Sequence, residues 1–211
     1  MSTVVIHNPF STRFIRPGVI PWHSTTTSPS ALLNTLKDFD NRVIISGPHG
    51  SGKSTLLNHF CSLARVQGHE VCYLRCHSWI DVMRAIRLFV DVSPRHDFVC
   101  IDSFEMLSFF GWFLCLIADL RGIGVVVTVH ERPWWCTWPV LVNTKTRFKT
   151  FDKLVQELMT KCSKTEMINF SKEMLQDVFK RNSGNFRESF FELYDHYESH
   201  SRTTLHMRKR Q

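Results

Sequence analysis

The chain lacks the signatures of several classes of protein. Its seven cysteines are scattered and form no CxxC pair, which argues against the disulfide framework of a small secreted domain and indicates thiols in a reducing compartment. No basic segment followed by a long apolar one opens the chain, so a cytoplasmic location is expected. The dinucleotide fingerprint GxGxxG is missing from the first glycine-rich turn. An ordinary globular protein is therefore the starting expectation.

Long hydrophobic runs are also missing. The most apolar stretch, Met106 to Ala118, has thirteen residues, fewer than the ~20 that a membrane-spanning helix needs, so we predict no transmembrane segment. A buried helix is predicted there. The alternative is an interfacial or partner-binding helix, because a run that is apolar nearly all round must be covered by something.

The charge of the chain is unbalanced. Lys and Arg number 26 against 19 Asp and Glu, a formal net charge of +7. Such an excess suits a nucleic acid, an anionic membrane or the phosphates of a nucleotide, and charge alone does not choose among them. Part of the excess lies in residues 201–211, which we interpret as a frayed, solvated basic tail containing Arg202, Arg208, Lys209 and Arg210.

A phosphate-binding loop is the most specific motif in the sequence. GPHGSGKS at residues 47–54 matches G-x-x-x-x-G-K-[ST], with an apolar strand pattern before it and a helical pattern after it. Lys53 is expected to reach the β and γ phosphates, Ser54 to offer its hydroxyl to Mg²⁺, and Thr55 to add a phosphate contact. His49 is interpreted as an exposed bystander rather than a catalyst. The predicted nucleotide-binding residues are Gly47, Pro48, His49, Gly50, Ser51, Gly52, Lys53, Ser54 and Thr55.

Strand and helix patterns alternate around this loop. Strands are predicted at residues 42–46, 70–75, 98–102, 124–130 and 140–143, and the segments between them favour helices; only helical stripes follow Thr150. The expected fold is α/β, a three-layer sandwich with a mainly parallel five-stranded sheet followed by a small all-helical lid. The predicted divisions are an N-terminal arm and helix (1–41), a nucleotide-binding core (42–150), a helical lid (151–200) and the basic tail (201–211).

Polar residues that end the predicted strands supply the rest of the candidate site. Asp102 follows four apolar residues, the pattern of a Walker B acid that holds Mg²⁺ through water. Glu105 is the nearest acid and the candidate base, provided that a helical turn starts directly after the strand. Thr128 and His130 both end the fourth strand, and either could sense the γ phosphate, while a buried or capping role for His130 is the alternative.

Together these residues resemble the AAA+-like ATPases of the additional-strand class of P-loop proteins over roughly residues 42–200. In that family a lid helix begins with a glycine-polar-apolar-arginine motif, so the resemblance implies that Arg187 in SGNFRESFFELY senses the nucleotide. ATP and Mg²⁺ are the implied cofactors. Two departures concern catalysis and assembly: Ser103 stands where the family usually carries Glu, and the segment of residues 131–139 is short for an arginine-finger helix, leaving Arg132 as a candidate that acts in trans.

Three tryptophans in residues 131–139, ERPWWCTWP, either pack in the core or form a docking patch for a partner. The predicted function is a Mg-dependent ATPase that couples nucleotide binding or hydrolysis to a lid movement acting on a macromolecular partner. A protein partner is expected, a nucleic acid is the alternative, and the oligomeric state is open. The competing functions are a nucleotide-controlled binding module with negligible hydrolysis and a P-loop kinase for a small molecule, although Arg75, Cys76 and His77 supply no acid for a kinase base.

Overall fold

The computed structural model describes residues 8–23, 28–91, 97–162 and 169–208. The helices in these ranges are α1 (Thr12–Ile15), α2 (Pro29–Thr35), α3 (Lys53–Val66), α4 (Trp79–Asp91), α5 (Ser108–Arg121), α6 (Phe148–Cys162), α7 (Lys172–Arg181) and α8 (Phe186–Arg208). Short 3₁₀ helices occupy Leu36–Phe39 and Phe104–Leu107. The strands are β1 (Arg42–Ser46), β2 (Val71–Arg75), β3 (Phe98–Asp102), β4 (Gly124–Val129) and β5 (Val140–Asn143). All five predicted strands are present, which confirms the α/β fold.

The five strands form one sheet in the order β2-β3-β4-β1-β5. Every pairing described between them is parallel. Parallel strands need crossover connections, and the helices α3, α4 and α5 supply them between β1, β2, β3 and β4. β4 is buried along its whole length, because it lies inside the sheet between β3 and β1 and is covered on both faces.

The alternation of side chains along the strands separates the two faces of the sheet. Val99 and Ile101 of β3 and Val125 and Val127 of β4 belong to the hydrophobic core formed with α4 and α5. Their neighbours in sequence point the other way, toward α3, which contacts β1, β2, β3 and β4. Asp102 and Thr128 follow that second set by the same alternation, so the predicted site residues lie on the α3 side.

Helix α5 corrects the prediction of a buried helix at residues 106–118. One stripe of α5 is buried, and it consists of Gly111, Leu114, Cys115 and Ala118. The opposite stripe is exposed, including Phe109 with 71% of its surface accessible. A helix that is apolar all round has no periodicity to mark which side faces the sheet, so the sequence could not separate the two stripes. No described helix combines the length and apolar character that crossing a membrane requires.

Two compact units divide the chain: residues 24–145 with the sheet, and residues 1–23 with 146–211. In the second unit the N-terminal arm packs with α6, α7 and α8 around Phe10, whose ring contacts those of Phe170, Phe190 and Tyr197. These bounds differ from the predicted divisions, since α2 belongs with the sheet and the described arm with the C-terminal helices. Helix α8 continues to Arg208, so the predicted tail is helical up to that residue, and 209–211 lie outside the described ranges.

Candidate nucleotide-binding site

The loop between β1 and α3 has a backbone that only glycine adopts readily. Gly47, Gly50 and Gly52 have φ angles of 151°, 68° and 91°, and Gly52 is the N-cap of the fourteen-residue helix α3. A Cβ atom on Gly47 would lie 2.1 Å from Oγ1 and 2.5 Å from the carbonyl oxygen of Thr144. The loop therefore places its backbone and the positive end of a helix at one point, which is the arrangement that binds phosphate.

Lys53 turns its side chain back onto the loop. Its ammonium Nζ donates to the carbonyl oxygens of Gly47 at 2.6 Å and Pro48 at 2.8 Å, and lies 3.1 Å from Nδ1 of His130. The residue is 8% exposed, and this burial lowers the pKa of Lys53. A buried cation therefore lies beside the loop, and carbonyl oxygens accept its hydrogen bonds.

The contact between Lys53 and His130 fixes the tautomer of the imidazole. An ammonium only donates, so Nδ1 of His130 accepts and the ring proton lies on Nε2. Nε2 is 3.1 Å from Oε1 of Glu105, to which it donates. Burial, and next the positive charge of Lys53, lower the pKa of His130, which favours this neutral ring. A chain of hydrogen bonds therefore runs from Lys53 through His130 to Glu105.

Asp102 is the centre of a second cluster. It is 1% exposed, and its Oδ1 accepts hydrogen bonds from Oγ of Ser54 at 2.9 Å and Oγ1 of Thr128 at 2.6 Å. Its Oδ2 lies 3.4 Å from both Nε of Arg75 and the hydroxyl of Tyr73. Burial, and then the charge of Asp102, raise the pKa of Tyr73 to about 12, so the phenol remains a donor. The two residues that were predicted separately as magnesium ligands, Ser54 and Asp102, therefore lie next to each other although they are 48 positions apart in sequence.

Glu105 reaches the loop because the chain turns sharply after β3. Ser103 adopts a left-handed conformation with φ of 62°, its N–H donates to Oγ1 of Thr128 at 2.9 Å, and the 3₁₀ helix Phe104–Leu107 follows directly. This is the early helical turn on which the prediction for Glu105 depended. While Oε1 bonds His130, Oε2 is a buried oxygen for which no hydrogen-bond partner is found in the described part of the chain. One carboxylate oxygen can thus accept a proton, or a hydrogen bond from a water molecule.

Some contacts of the loop and of Asp102 were not predicted from sequence. Thr144, directly after β5, places Oγ1 2.6 Å from Oγ of Ser51 and donates to the carbonyl oxygen of Ser46 at 3.1 Å. Arg75 and Tyr73 reach Asp102 because β2 pairs with β3 in a register that sets Arg75 opposite Asp102. Their position at or near the carboxyl end of a strand was the available signal, but it becomes informative only when the strand order is known.

The remaining predicted residues are placed as follows. His49 is exposed, as predicted, although its ring lies 3.5 Å from that of His130. Thr55 is buried. Arg187 is exposed in the first turn of α8, within the helical unit. Nε of Arg132 donates to the carbonyl oxygen of Cys136 at 3.1 Å, which ties that side chain to its own segment. The roles predicted for Thr55, Arg187 and Arg132 remain predictions.

The three tryptophans of residues 131–139 have different surroundings. Trp138 is 4% exposed and donates to Oδ1 of Asp119 at 3.0 Å. Trp135 packs against the core, stands over Gly111 and contacts the ring of Phe104. Trp134 is 93% exposed. Trp138 therefore belongs to the core of the sheet unit and Trp135 packs against that core, and both contact α5.

The sequence matches no family model and no curated protein. Solved structures do match. A replication initiator DnaA bound to AMPPCP and single-stranded DNA has a TM-score of 0.54 at 18% identity, with 77% of this chain and 57% of that chain covered. A DNA replication initiation factor has a TM-score of 0.57 at 17% identity, with 82% and 63% covered.

Domain III of DnaA from Thermotoga maritima has a TM-score of 0.57 at 15% identity, and the match covers 88% of this chain and 86% of that domain. The chain spans less than two thirds of the first two proteins and most of this single domain. At these identities the likeness concerns the fold alone.

Proposed function

We propose that this protein binds a nucleoside triphosphate, ATP with Mg²⁺, in the loop of residues 47–54 and works as an AAA+-like ATPase. The observation that carries the proposal is the meeting of Lys53, Ser54 and Asp102 at one end of the sheet, with Ser54 Oγ 2.9 Å from Asp102 Oδ1. The placement of β4 between β1 and β3 supports membership of the additional-strand class. One of the compared DnaA structures was bound to AMPPCP, which supports the choice of nucleotide.

The residues at Asp102 fit a magnesium ion. Hydroxyl and carboxylate oxygens are the ligands that Mg²⁺ takes, commonly one or two from the protein together with phosphate oxygens and water. Ser54 and Asp102 would hold it, and Mg²⁺ would neutralise part of the charge on the phosphates. Thr128 and Tyr73 fix the carboxylate through hydrogen bonds to its two oxygens, so Asp102 needs little reorganisation to bind the ion.

Lys53 has to change partners when phosphate binds. Its ammonium now bonds two neutral carbonyl oxygens, those of Gly47 and Pro48. Charged phosphate oxygens are stronger acceptors than carbonyls, so the exchange is favourable. The glycine backbone that Thr144 packs against lets the loop approach the phosphates without a side chain in the way.

We assign the proton acceptor for hydrolysis to Glu105. Its Oε2 is buried and has no hydrogen-bond partner among the residues that the structure describes, while Oε1 is held by His130, so the carboxylate is oriented and keeps one oxygen for the attacking water. The hydroxyl of Thr128 is already engaged by Asp102 and Ser103, which makes Thr128 a positioning residue and leaves His130 as the sensor near the phosphates. Arg187 in the helical unit is proposed to sense the nucleotide, and this unit is proposed as the lid whose movement acts on a protein or nucleic-acid partner.

Turnover of Mg-ATP by the wild type, Glu105→Gln and Glu131→Gln tests this assignment. Glu131 is an exposed acid at the same end of the sheet and serves as the matched control. Loss of a general base reduces a rate by about 10² to 10⁴-fold; we expect a loss in this range for Glu105→Gln, unchanged ATP binding, and no effect for Glu131→Gln. Equal turnover in all three proteins would remove Glu105 from the mechanism.

A nucleotide-controlled binding module with negligible hydrolysis is the second candidate. The observation in its favour is Ser103, which takes the place beside Asp102 with a left-handed backbone and no acidic group. In that case Glu105 serves only to hold His130 near Lys53. Tight ATP binding without phosphate release, with single-stranded DNA or a protein partner added, would establish this function instead.

A further inference from the structure

Thr144 lies beside the phosphate loop because of an irregularity in the edge strand β5. The pairing of β5 with β1 skips Leu141, so the register between the two strands shifts by one residue. A bulge of this kind changes which way the following side chains point. Beyond it Asn143 lies opposite Ser46, and the next residue, Thr144, comes beside Gly47 at the start of the loop.

Thr144 contacts the loop at two separate points. The residue is 4% exposed, and its backbone N–H donates to the carbonyl oxygen of Ser46 at 2.7 Å. Its Oγ1 lies 2.6 Å from Oγ of Ser51, in the middle of the loop. The same oxygen lies so close to Gly47 that a Cβ atom there would be 2.1 Å away. One side chain that follows β5 therefore holds both the start and the middle of the loop.

The two hydroxyl groups form a short chain between two carbonyl oxygens. Oγ of Ser51 lies 2.8 Å from the carbonyl oxygen of Pro48, and Oγ1 of Thr144 lies 3.1 Å from that of Ser46. Each hydroxyl has a single proton, so two protons serve three contacts. The 2.6 Å between the hydroxyl oxygens is the length of an O–H···O bond, which places one proton there. The other proton is donated at one end of the chain, to Pro48 or to Ser46.

Both directions of this chain are possible in the structure because each end has another donor. The carbonyl oxygen of Ser46 accepts from the N–H of Thr144 at 2.7 Å. The carbonyl oxygen of Pro48 accepts from the ammonium of Lys53 at 2.8 Å, and from the N–H of Ser51 at the longer distance of 3.3 Å. Neither direction leaves one of these two oxygens without a donor.

Binding of phosphate would change the balance at one end only. When Lys53 transfers to phosphate oxygens, the carbonyl oxygen of Pro48 loses its 2.8 Å bond and keeps the 3.3 Å contact with the N–H of Ser51, which is longer than a usual hydrogen bond. The hydroxyl of Ser51 can replace the ammonium there, at 2.8 Å. Thr144 then donates to Ser51, and Ser46 keeps the N–H of Thr144.

We propose that Thr144 is a positioning residue for the nucleotide. Its hydroxyl holds the loop through Ser51, and the two hydroxyl groups turn together toward Pro48 when Lys53 transfers to phosphate. This inference rests on the proposed function, since it concerns the same site. Thr144 acts on the phosphates only through the loop, and the pairing of β5 with β1 keeps it in place while Lys53 moves.

Calorimetric titration with Mg-ATP tests the proposal, beginning with two substitutions of Thr144. Thr144→Val replaces the hydroxyl by a methyl group, and because nonbonded atoms pack at about 3.5 Å or more, Ser51 has to move. A displacement of about 1 Å in a site costs up to about a hundredfold, so we expect an affinity roughly ten- to a hundredfold weaker. Thr144→Ser keeps the hydroxyl and should bind ATP nearly as the wild type does.

Ser51→Ala isolates the donor to Pro48. It removes the hydroxyl without introducing a clash and leaves Thr144 bonded to Ser46. One neutral hydrogen bond corresponds to a change of about two- to tenfold in a binding constant, and we expect a loss of ATP affinity in this range. If Thr144→Val does not fold, this variant still decides the matter.

Two matched controls remove hydroxyl groups elsewhere. Ser62→Ala changes a serine of α3 whose hydroxyl donates to the carbonyl oxygen of Asn58 at 3.0 Å on the exposed side of the helix. Thr160→Val changes a threonine of α6 that donates in the same way to Gln156 at 2.8 Å. Both should bind ATP as the wild type does. Circular dichroism establishes that every variant is folded.

The double variant Ser51→Ala/Thr144→Val gives a readout that a loss of stability alone would not give. Alanine at position 51 leaves room for the methyl group of the valine, so the double variant should bind ATP no more weakly than Thr144→Val does. Residues that act independently would instead multiply their losses.

Four results would overturn the proposal. Equal affinities of the wild type and Thr144→Val would remove Thr144 from binding and leave the nucleotide site standing. A Thr144→Ser variant as weak as Thr144→Val would assign the effect to the methyl group of the threonine. An affinity of Ser51→Ala equal to that of Ser62→Ala would refute the donor to Pro48, and losses that multiply in the double variant would refute the pair. A wild type that does not bind Mg-ATP would instead contradict the proposed function, and this inference with it.

Discussion

The hydroxyl of Thr128 offers a direct way to separate positioning from phosphate contact. Thr128→Val removes it with little change of shape. Oδ1 of Asp102 then loses a bond of 2.6 Å, and the N–H of Ser103 loses its acceptor at 2.9 Å. A hydrogen bond to a charged group contributes about 1.5–3 kcal/mol, and an unsatisfied buried donor costs about 1–3 kcal/mol. The expected loss in the free energy of unfolding is therefore about 3 kcal/mol.

A loss of that size lowers the midpoint of thermal unfolding by roughly 6–12 °C for a chain of about 200 residues. Calorimetry of Thr128→Val beside Thr35→Val checks it, because the hydroxyl of Thr35 donates to the exposed carbonyl oxygen of Ala31 and its loss is expected to have little effect. ATP affinity, measured well below the midpoint, is expected to change little. A variant of unaltered stability that no longer binds ATP would refute the positioning role and assign Thr128 to the phosphates.

Further substitutions test neighbouring parts of the account. Gly111→Ala would set a Cβ 2.2 Å from the ring of Trp135, so the free energy of unfolding should fall by about 1–3 kcal/mol. Adding Trp135→Phe should restore part of this loss. Unchanged stability of Gly111→Ala would contradict this packing. In Gly47→Ala the new Cβ clashes with the carbonyl oxygen of Thr144, so ATP binding measured by titration calorimetry should be at least tenfold weaker. An affinity equal to that of the wild type would show that the loop can shift to accommodate the Cβ atom. Burial and the charge of Lys53 lower the pKa of His130, so its neutral ring stabilises the fold above the usual histidine pKa of about 6.5, and this stability is lost as the pH falls through the lowered pKa. His130→Asn should therefore flatten the decline of the unfolding midpoint between pH 7 and 5. If the midpoints of the wild type and the variant fall in parallel with pH, the effect is excluded.

The sheet and the loop were predictable because local signals mark them. The apolar runs at 42–46 and 98–102 end at Gly47 and Ser103, and the strands of the structure have the same bounds. The loop of residues 47–54 was recognised from a motif whose geometry depends on a strand before the loop and a helix after it. Apolar runs that end at a turn residue form strands, and the glycine-rich motif forms a phosphate-binding loop, so these local patterns each point to one structure.

Other features depend on tertiary placement. Thr128 lies in β4 and His130 directly follows the last residue of that strand, and strand alternation alone would place both on one face. Only the tertiary structure decides that Thr128 meets Asp102 while His130 reaches Lys53 and Glu105. The contact of Arg75 with Asp102 required the register between β2 and β3. The hydrophobic periodicity of the sequence does not show which strands are neighbours or in which register they pair.

Equilibrium binding of Mg-ATP to the wild type and to Lys53→Ala tests the central claim most directly. Lys53 supplies a buried ammonium to the loop, and a charge-assisted hydrogen bond of this type contributes about 1.5–3 kcal/mol. Calorimetric titration should therefore show saturable binding at one site in the wild type and an affinity at least tenfold weaker in Lys53→Ala, with both proteins folded. Equal affinities, or no heat of binding in the wild type, would contradict the assignment of residues 47–54 as a nucleotide site.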